Sequence, residues 1–216
     1  VTQLYIICPV RHLDGELRQR ILKYAADLER QGYSVRVPFE HTDQDDPIGI
    51  RITDEHEWKD ILKANEFRVI WVADSEGSWW DWAQARVLNY VEHERRISFL
   101  DPQTMKPLAE ELQPQPPILA SEDDLWQKAQ ESVLCLTWNA RADGMISRTC
   151  LWQLAQARII ARLLNLSVCF CNAREIRPTP IKSYNNVALA THLNLPPDVS
   201  REDFDRTVAA LKEQRS

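Results

Sequence analysis

The amino-acid sequence predicts an α/β fold, a doubly wound parallel sheet of the Rossmann or flavodoxin-like kind with a partial internal duplication. Three observations predict it. Short apolar runs alternate with segments of helical apolar spacing over residues 3–100, the pattern of βαβ units whose strands are buried on both faces. The runs stop at prolines or polar turns, which suits strands that feed loops at one sheet edge. After a proline-rich break, the second half then repeats part of the first.

The elements follow in order. Gln3-Leu4-Tyr5-Ile6-Ile7-Cys8 is a short apolar run stopped by Pro9, a buried strand by its length and composition. Leu17, Ile21, Tyr24 and Leu28 recur at helical spacing, and Gly32 closes that helix. Ser34 to Val37 is a second strand, ended by Pro38. Strand, helix and strand in this order imply a right-handed crossover. The polar stretch Phe39 to Gly49, with four carboxylates, is a loop. A helix is expected over 53–64 with Thr53 as N-cap. Phe67 to Ala73 is the third strand, followed by the turn Ser75-Glu76-Gly77-Ser78-Trp79-Trp80-Asp81 and a helix to about Glu92. Ile97 to Leu100 is the fourth strand.

Residues 101–121 hold five prolines and little periodicity. They divide a first domain at 1–104 from a second at 118–216. Ser121-Glu122-Asp123-Asp124 opens a helix as a capping box does. Val133 to Trp138 is a strand, 147–165 a long helix and 167–171 a strand. Helices near 184–193 and from Ser200 complete the chain.

The repeat is read from three matches. Trp80-Asp81-Trp82-Ala83-Gln84-Ala85-Arg86 corresponds to Trp152-Gln153-Leu154-Ala155-Gln156-Ala157-Arg158. Val69-Ile70-Trp71-Val72-Ala73 corresponds to Leu136-Thr137-Trp138-Asn139-Ala140, and Trp58 to Trp126. Asp81 falls opposite Gln153, so only the first copy keeps a carboxylate at that position.

Composition narrows the function classes. The chain has 216 residues, 44% hydrophobic and 27% charged, enough for a sizeable core. A net charge of -6 disfavours a general nucleic-acid or anionic-membrane binder. Cys8, Cys135, Cys150, Cys169 and Cys171 lie mostly in apolar runs without metal-ligand spacing. They read as reduced thiols of a cytoplasmic protein, and no metal or organic cofactor is implied. No apolar run reaches membrane-spanning length.

Open parallel sheets bind ligands beyond the carboxyl ends of their strands. Three polar stretches converge there: Cys8-Pro9-Val10-Arg11, the acidic loop, and Asp74 to Asp81. Each residue also has an ordinary structural reading. Asp74 can end a strand, Gly77-Ser78 can be a turn and N-cap, and Asp81 can be an acid of a helix's first turn. Their convergence on one edge points to a site.

Ile6-Ile7-Cys8-Pro9-Val10-Arg11, Thr42-Asp43-Gln44-Asp45-Asp46-Pro47-x-Gly49 and Gly77-Ser78-Trp79-Trp80-Asp81 resemble, in this order, motifs of the nucleoside 2-deoxyribosyltransferase-like family. The resemblance spans residues 3–100 and implies cleavage of the N-glycosidic bond of a nucleoside or nucleotide. It implies Asp81 as nucleophile and Asp74 as a partner of sugar hydroxyls. Pro9 and the Gly77-Ser78 backbone would line the sugar or 5′-phosphate site, with Arg11 on a phosphate. Asp43, Gln44, Asp45 and Asp46 would contact base or sugar, and Tyr5 or a tryptophan of 79–82 would stack on a base. The sequence departs from the family where Asp81 stands for the usual Glu, and where Trp82-Ala83 replaces an apolar residue and glycine.

The expected partner is therefore a nucleoside or nucleotide, with a homodimer or a protein partner on the tryptophan-rich surface. The alternative is a non-catalytic nucleotide-sensing or protein-interaction module on the same fold. Ser78-Trp79-Trp80-Asp81 also faintly echoes the Ser-x-Trp-x-x-Glu signature of TIR-like NAD-cleaving domains, with a different carboxylate and spacing.

Overall fold

Leu4, Ile6 and Cys8 alternate with Tyr5 and Ile7 along β1 (Gln3–Ile7), and all five are buried. That is the signature of a strand covered on both faces. The structure, a computed structural model, describes residues 1–10, 13–40, 59–117, 121–131, 134–138, 148–165 and 168–172. By contacts the chain divides into two units, Val1–Pro116 and Pro117–Ser216.

In the first unit, α1 (Gly15–Arg30) starts at Asp14, whose side chain accepts the Leu17 N–H at 3.2 Å. It buries Leu17, Ile21, Ala25 and Leu28 along one stripe. The helix ends as the sequence requires. Gly32 has φ of +94°, and its N–H reaches Glu29 O while Tyr33 N–H reaches Leu28 O. This pair of bonds is a Schellman motif, open to glycine because it lacks a Cβ. The strand β2 (Ser34–Arg36) follows.

β3 (Glu66–Ile70), α2 (Glu76–Val91) and β4 (Arg96–Leu100) complete the sheet, with residues 59–63 helical before β3. Strand order is β2-β1-β3-β4, and every pair is parallel. One core cluster joins Leu4, Ile6 and Cys8 to α1, Val35, Val37, Phe39, Ile70 and Leu100. Helix α2 lies against β1, β3 and β4, and Tyr5 meets Asp81 of α2. The alternation within β1 therefore puts α1 and α2 on opposite faces, which is the doubly wound arrangement. Truncating a fully buried member such as Ile21 to alanine costs about 2–5 kcal/mol.

Residues 101–113 stay with this unit. Leu108 N–H donates to Phe99 O at 2.8 Å, and Leu100 bridges Pro107 in antiparallel sense. The outer edge of β4 is thereby partly covered, which protects it from pairing with another chain. Arg20 Nε also donates to Pro102 O at 3.2 Å.

The second unit contains α3 (Glu122–Glu131), β5 (Leu134–Trp138), α4 (Arg148–Leu163) and β6 (Val168–Asn172). The expected capping box is present. Asp124 N–H donates to Ser121 Oγ at 3.1 Å, while Ser121 N–H and hydroxyl both reach Asp124 Oδ2. β5 and β6 are parallel, and α4 packs on both strands and on α3. Gln156 Nε2 donates to Glu122 Oε1 at 3.0 Å, tying α4 to the start of α3.

Among the described residues no helix is long and apolar enough to cross a membrane. The expected N-cap Thr53 and the expected helices near 184–193 and from Ser200 lie outside the described residues.

Candidate functional site

Strand order reverses between β1 and β3, because β2 lies on one side of β1 and β3 on the other. At such a switch point the connections leave the sheet in opposite directions and open a crevice beyond the strand ends. Cys8-Pro9-Val10 follows β1 there, with Cys8 and Pro9 buried, and Trp71 to Ser75 follows β3. Two of the three polar stretches expected at this edge are thus described; the acidic loop from residue 41 onward lies outside the described residues.

The structure corrects the local reading of the turn. The third strand ends at Ile70, three residues earlier than expected, and the helix starts at Glu76. Ser75 is the N-cap, not Ser78: its Oγ accepts the Ser78 N–H at 3.2 Å and the Ser78 hydroxyl at 2.9 Å. The signal for this was a serine three residues before another polar residue, at the end of an apolar run. Ser75 N–H also closes on Val72 O at 3.1 Å, so the connection is a tight turn.

Asp81 is accordingly not a first-turn acid. It lies five residues into α2, about 7.5 Å along the axis from Glu76, and is only 6% exposed. The Tyr5 hydroxyl donates to its Oδ2 at 3.4 Å. Tyr5 is itself 1% exposed, so it is a partner of the carboxylate and not a stacking surface. Its signal was present: a tyrosine inside a fully apolar strand must find a partner for its hydroxyl.

The tryptophans pack against one another and against Phe99. Trp79, Trp82 and Phe99 are buried. Trp71 meets Trp79 edge to face at 4.6 Å between centroids, Trp82 at 5.5 Å and Phe99 at 6.1 Å. Trp79 Nε1 donates to Ala73 O at 3.0 Å, fastening the turn from within. Of the four rings Trp71 alone is partly exposed; packing takes up the other three, and also Trp80.

The remaining predicted residues divide as follows. Asp74 is exposed in the connection after β3, whereas Asp81 is buried in the second turn of α2. Gly77 is exposed, and a Cβ built on it meets nothing within 4 Å; Ser78 is fully buried against Ser75. Arg11, Asp43, Gln44, Asp45 and Asp46 lie outside the described residues. Among the described residues no cluster of His, Cys, Asp and Glu has the makings of a metal site.

Comparisons with protein-family models, with curated proteins and with solved structures give no match.

Proposed function

We propose that the chain cleaves the N-glycosidic bond of a nucleoside or nucleotide, as a transferase or hydrolase of the nucleoside 2-deoxyribosyltransferase-like type. One observation carries this reading. A carboxylate, Asp81, is buried on the helix that leaves the switch-point edge, with a tyrosine hydroxyl on it. Burying a carboxylate costs free energy. The matching position in the second unit, Gln153, holds a neutral amide and is half-buried. A buried carboxylate in the copy that carries the switch point, matched by an amide in the other, is the pattern expected of a functional carboxylate.

The chemistry follows from the residues. Asp81 attacks the anomeric carbon through an oxocarbenium-like transition state whose positive charge it stabilises. The C–N bond breaks, and the base leaves with the bonding electrons and takes up a proton. The glycosyl ester on Asp81 is then attacked by a second base or by water, freeing the carboxylate. Asp74 after β3 accepts from sugar hydroxyls, and the uncovered backbone at Gly77 faces the sugar or a 5′-phosphate near the helix N-terminus. Arg11 and Asp43 to Asp46 take the phosphate, base and sugar roles that the resemblance gives them.

A second reading, a non-catalytic nucleotide-sensing or protein-interaction module, is favoured by the 6% exposure of Asp81 and by its short side chain. A panel of deoxynucleosides, nucleotides and NAD separates the two. Free base released by the wild type and not by Asp81→Ala supports catalysis. Thermal stabilisation without release supports sensing, and release of nicotinamide alone supports NAD cleavage.

A further inference from the structure

Two stretches of this chain keep step with each other in sequence and in backbone. Thr53-Asp54-Glu55-x-x-Trp58 reads against Ser121-Glu122-Asp123-x-x-Trp126, 68 residues further on. Helical residues ending at 63 and α3 ending at Glu131 keep the same spacing of 68. So do β3, starting at Glu66, and β5, starting at Leu134. The next two elements keep a spacing of 72. α2 spans Glu76–Val91 and α4 spans Arg148–Leu163, and β4 spans Arg96–Leu100 and β6 Val168–Asn172. One change accounts for the shift: the stretch between β5 and α4 is four residues longer than that between β3 and α2.

The ladders agree as well. Glu66 pairs with Arg96 and Leu134 with Val168, so counterparts pair with counterparts. This corrects one match drawn from sequence: Trp138 occupies the register position of Ile70, not of Trp71. A chance likeness between two helices does not reproduce the bounds of two helices and two strands together with a strand register.

What is kept and what is lost are separated along the helix. Ala83 and Ala155, Gln84 and Gln156, Ala85 and Ala157, Val87 and Ile159, and Leu88 and Ile160 are all buried. A glutamine buried at the same place in both helices is the least expected member of that set, because burying an amide is costly. The helices differ in the last turn, where Asn89 and Tyr90 correspond to Ala161 and Arg162, and in the first two turns. In those first turns Glu76 corresponds to Arg148, Gly77 to Thr149, Ser78 to Cys150 and Asp81 to Gln153. Ser78 and Asp81 are buried, whereas Cys150 and Gln153 are half-buried.

We infer that residues 121–172 are a second copy of the helix–strand–helix–strand module at 53–100, one that keeps the module's interior and has lost the carboxylate that Asp81 supplies in the first. The second copy is then a structural lobe, and the chain carries one site. An experimental structure of the full chain tests the duplication. One rigid rotation is expected to bring 59–70 and 76–100 onto 127–138 and 148–172, strands and helices together. An antiparallel β5–β6 pair, or α4 on the opposite face of that pair from the one α2 takes on β3–β4, overturns it. The single-site half rests on the proposed function. With the nucleotide panel, Asp81→Ala is expected to abolish the thermal shift while Gln153→Ala leaves it unchanged; loss in both variants overturns it. If the wild type shifts with no compound, the functional reading and the single-site half fall together, and the duplication is still decided by the superposition.

Discussion

The Tyr5 hydroxyl lies 3.4 Å from Asp81 Oδ2, joining the first strand of the sheet to the helix that carries the candidate nucleophile. The contact is long beside the typical O–H···O distance of about 2.7–2.8 Å, so it orients the carboxylate more than it neutralises it. Tyr5→Phe removes the hydroxyl and little else from a site that is 1% exposed. The expected result is a loss of activity of about fivefold with KM nearly unchanged, since a hydrogen bond of this kind contributes about 1 kcal/mol. A purely structural hydroxyl would instead lower Tm and leave kcat alone.

Asp81→Asn separates catalysis from folding. It keeps the shape of the side chain and removes the charge, so base release is expected to fall on the order of 10⁴-fold or more. Because the charge is buried, Tm is expected to hold or rise, the usual exchange between stability and function at a site. A Tm that falls sharply marks Asp81 as half of a structural ion pair, and the nucleophile assignment then fails.

The helix start offers a paired test. Ser75→Ala removes the cap on Ser78 N–H, at a cost of about 1 kcal/mol in stability. Gly77→Ala acts the other way. The site has room for a methyl group and lies within the helix, so stability rises by up to about 1 kcal/mol. If backbone at Gly77 approaches a sugar or phosphate, this more stable variant binds the ligand more weakly. Equal affinity for both proteins would remove Gly77 from the site.

Much of this was legible in the sequence. Apolar runs such as Gln3–Ile7 and the stripe Leu17, Ile21, Tyr24, Leu28 carry their own periods and point to the parallel sheet, although Ala25 takes the buried place expected of the half-buried Tyr24. Gly32 and Ser121 announced helix ends because their backbone and side-chain chemistry is local. What was not legible depended on tertiary contacts. The strand after Glu66 ends at Ile70 because the chain turns to cap the helix at Ser75, although Trp71-Val72-Ala73 still reads as strand. The depth of Asp81 followed from that shift. Its tyrosine partner lies 76 residues away in sequence, a distance over which periodicity carries no signal. The tryptophans read as candidate stacking surfaces and were mostly taken up by each other.

Two other aspartates add a small pH-dependent contribution to stability. Asp101, just after β4, accepts from Thr104 N–H at 2.7 Å, from the Thr104 hydroxyl at 2.9 Å and from Gln103 N–H at 3.0 Å. The Thr104 backbone bond does most to hold its carboxyl below the ordinary value of 3.8. Asp124 is held low in the same direction, chiefly by the Ser121 hydroxyl and then by the Ser121 backbone. A carboxyl whose pKa is lower folded than unfolded adds stability above the unfolded value. That contribution is lost as pH falls from about 3.8 through the lower folded value. Both side chains face solvent, so each contribution is small and weakens with salt. Asp101→Asn keeps an acceptor for Thr104 and removes the titration. Its Tm is expected to fall less steeply than the wild type's between about pH 4 and pH 3, with the difference shrinking at high salt. Identical slopes over that interval would mean that the turn after β4 is already open before the acid transition.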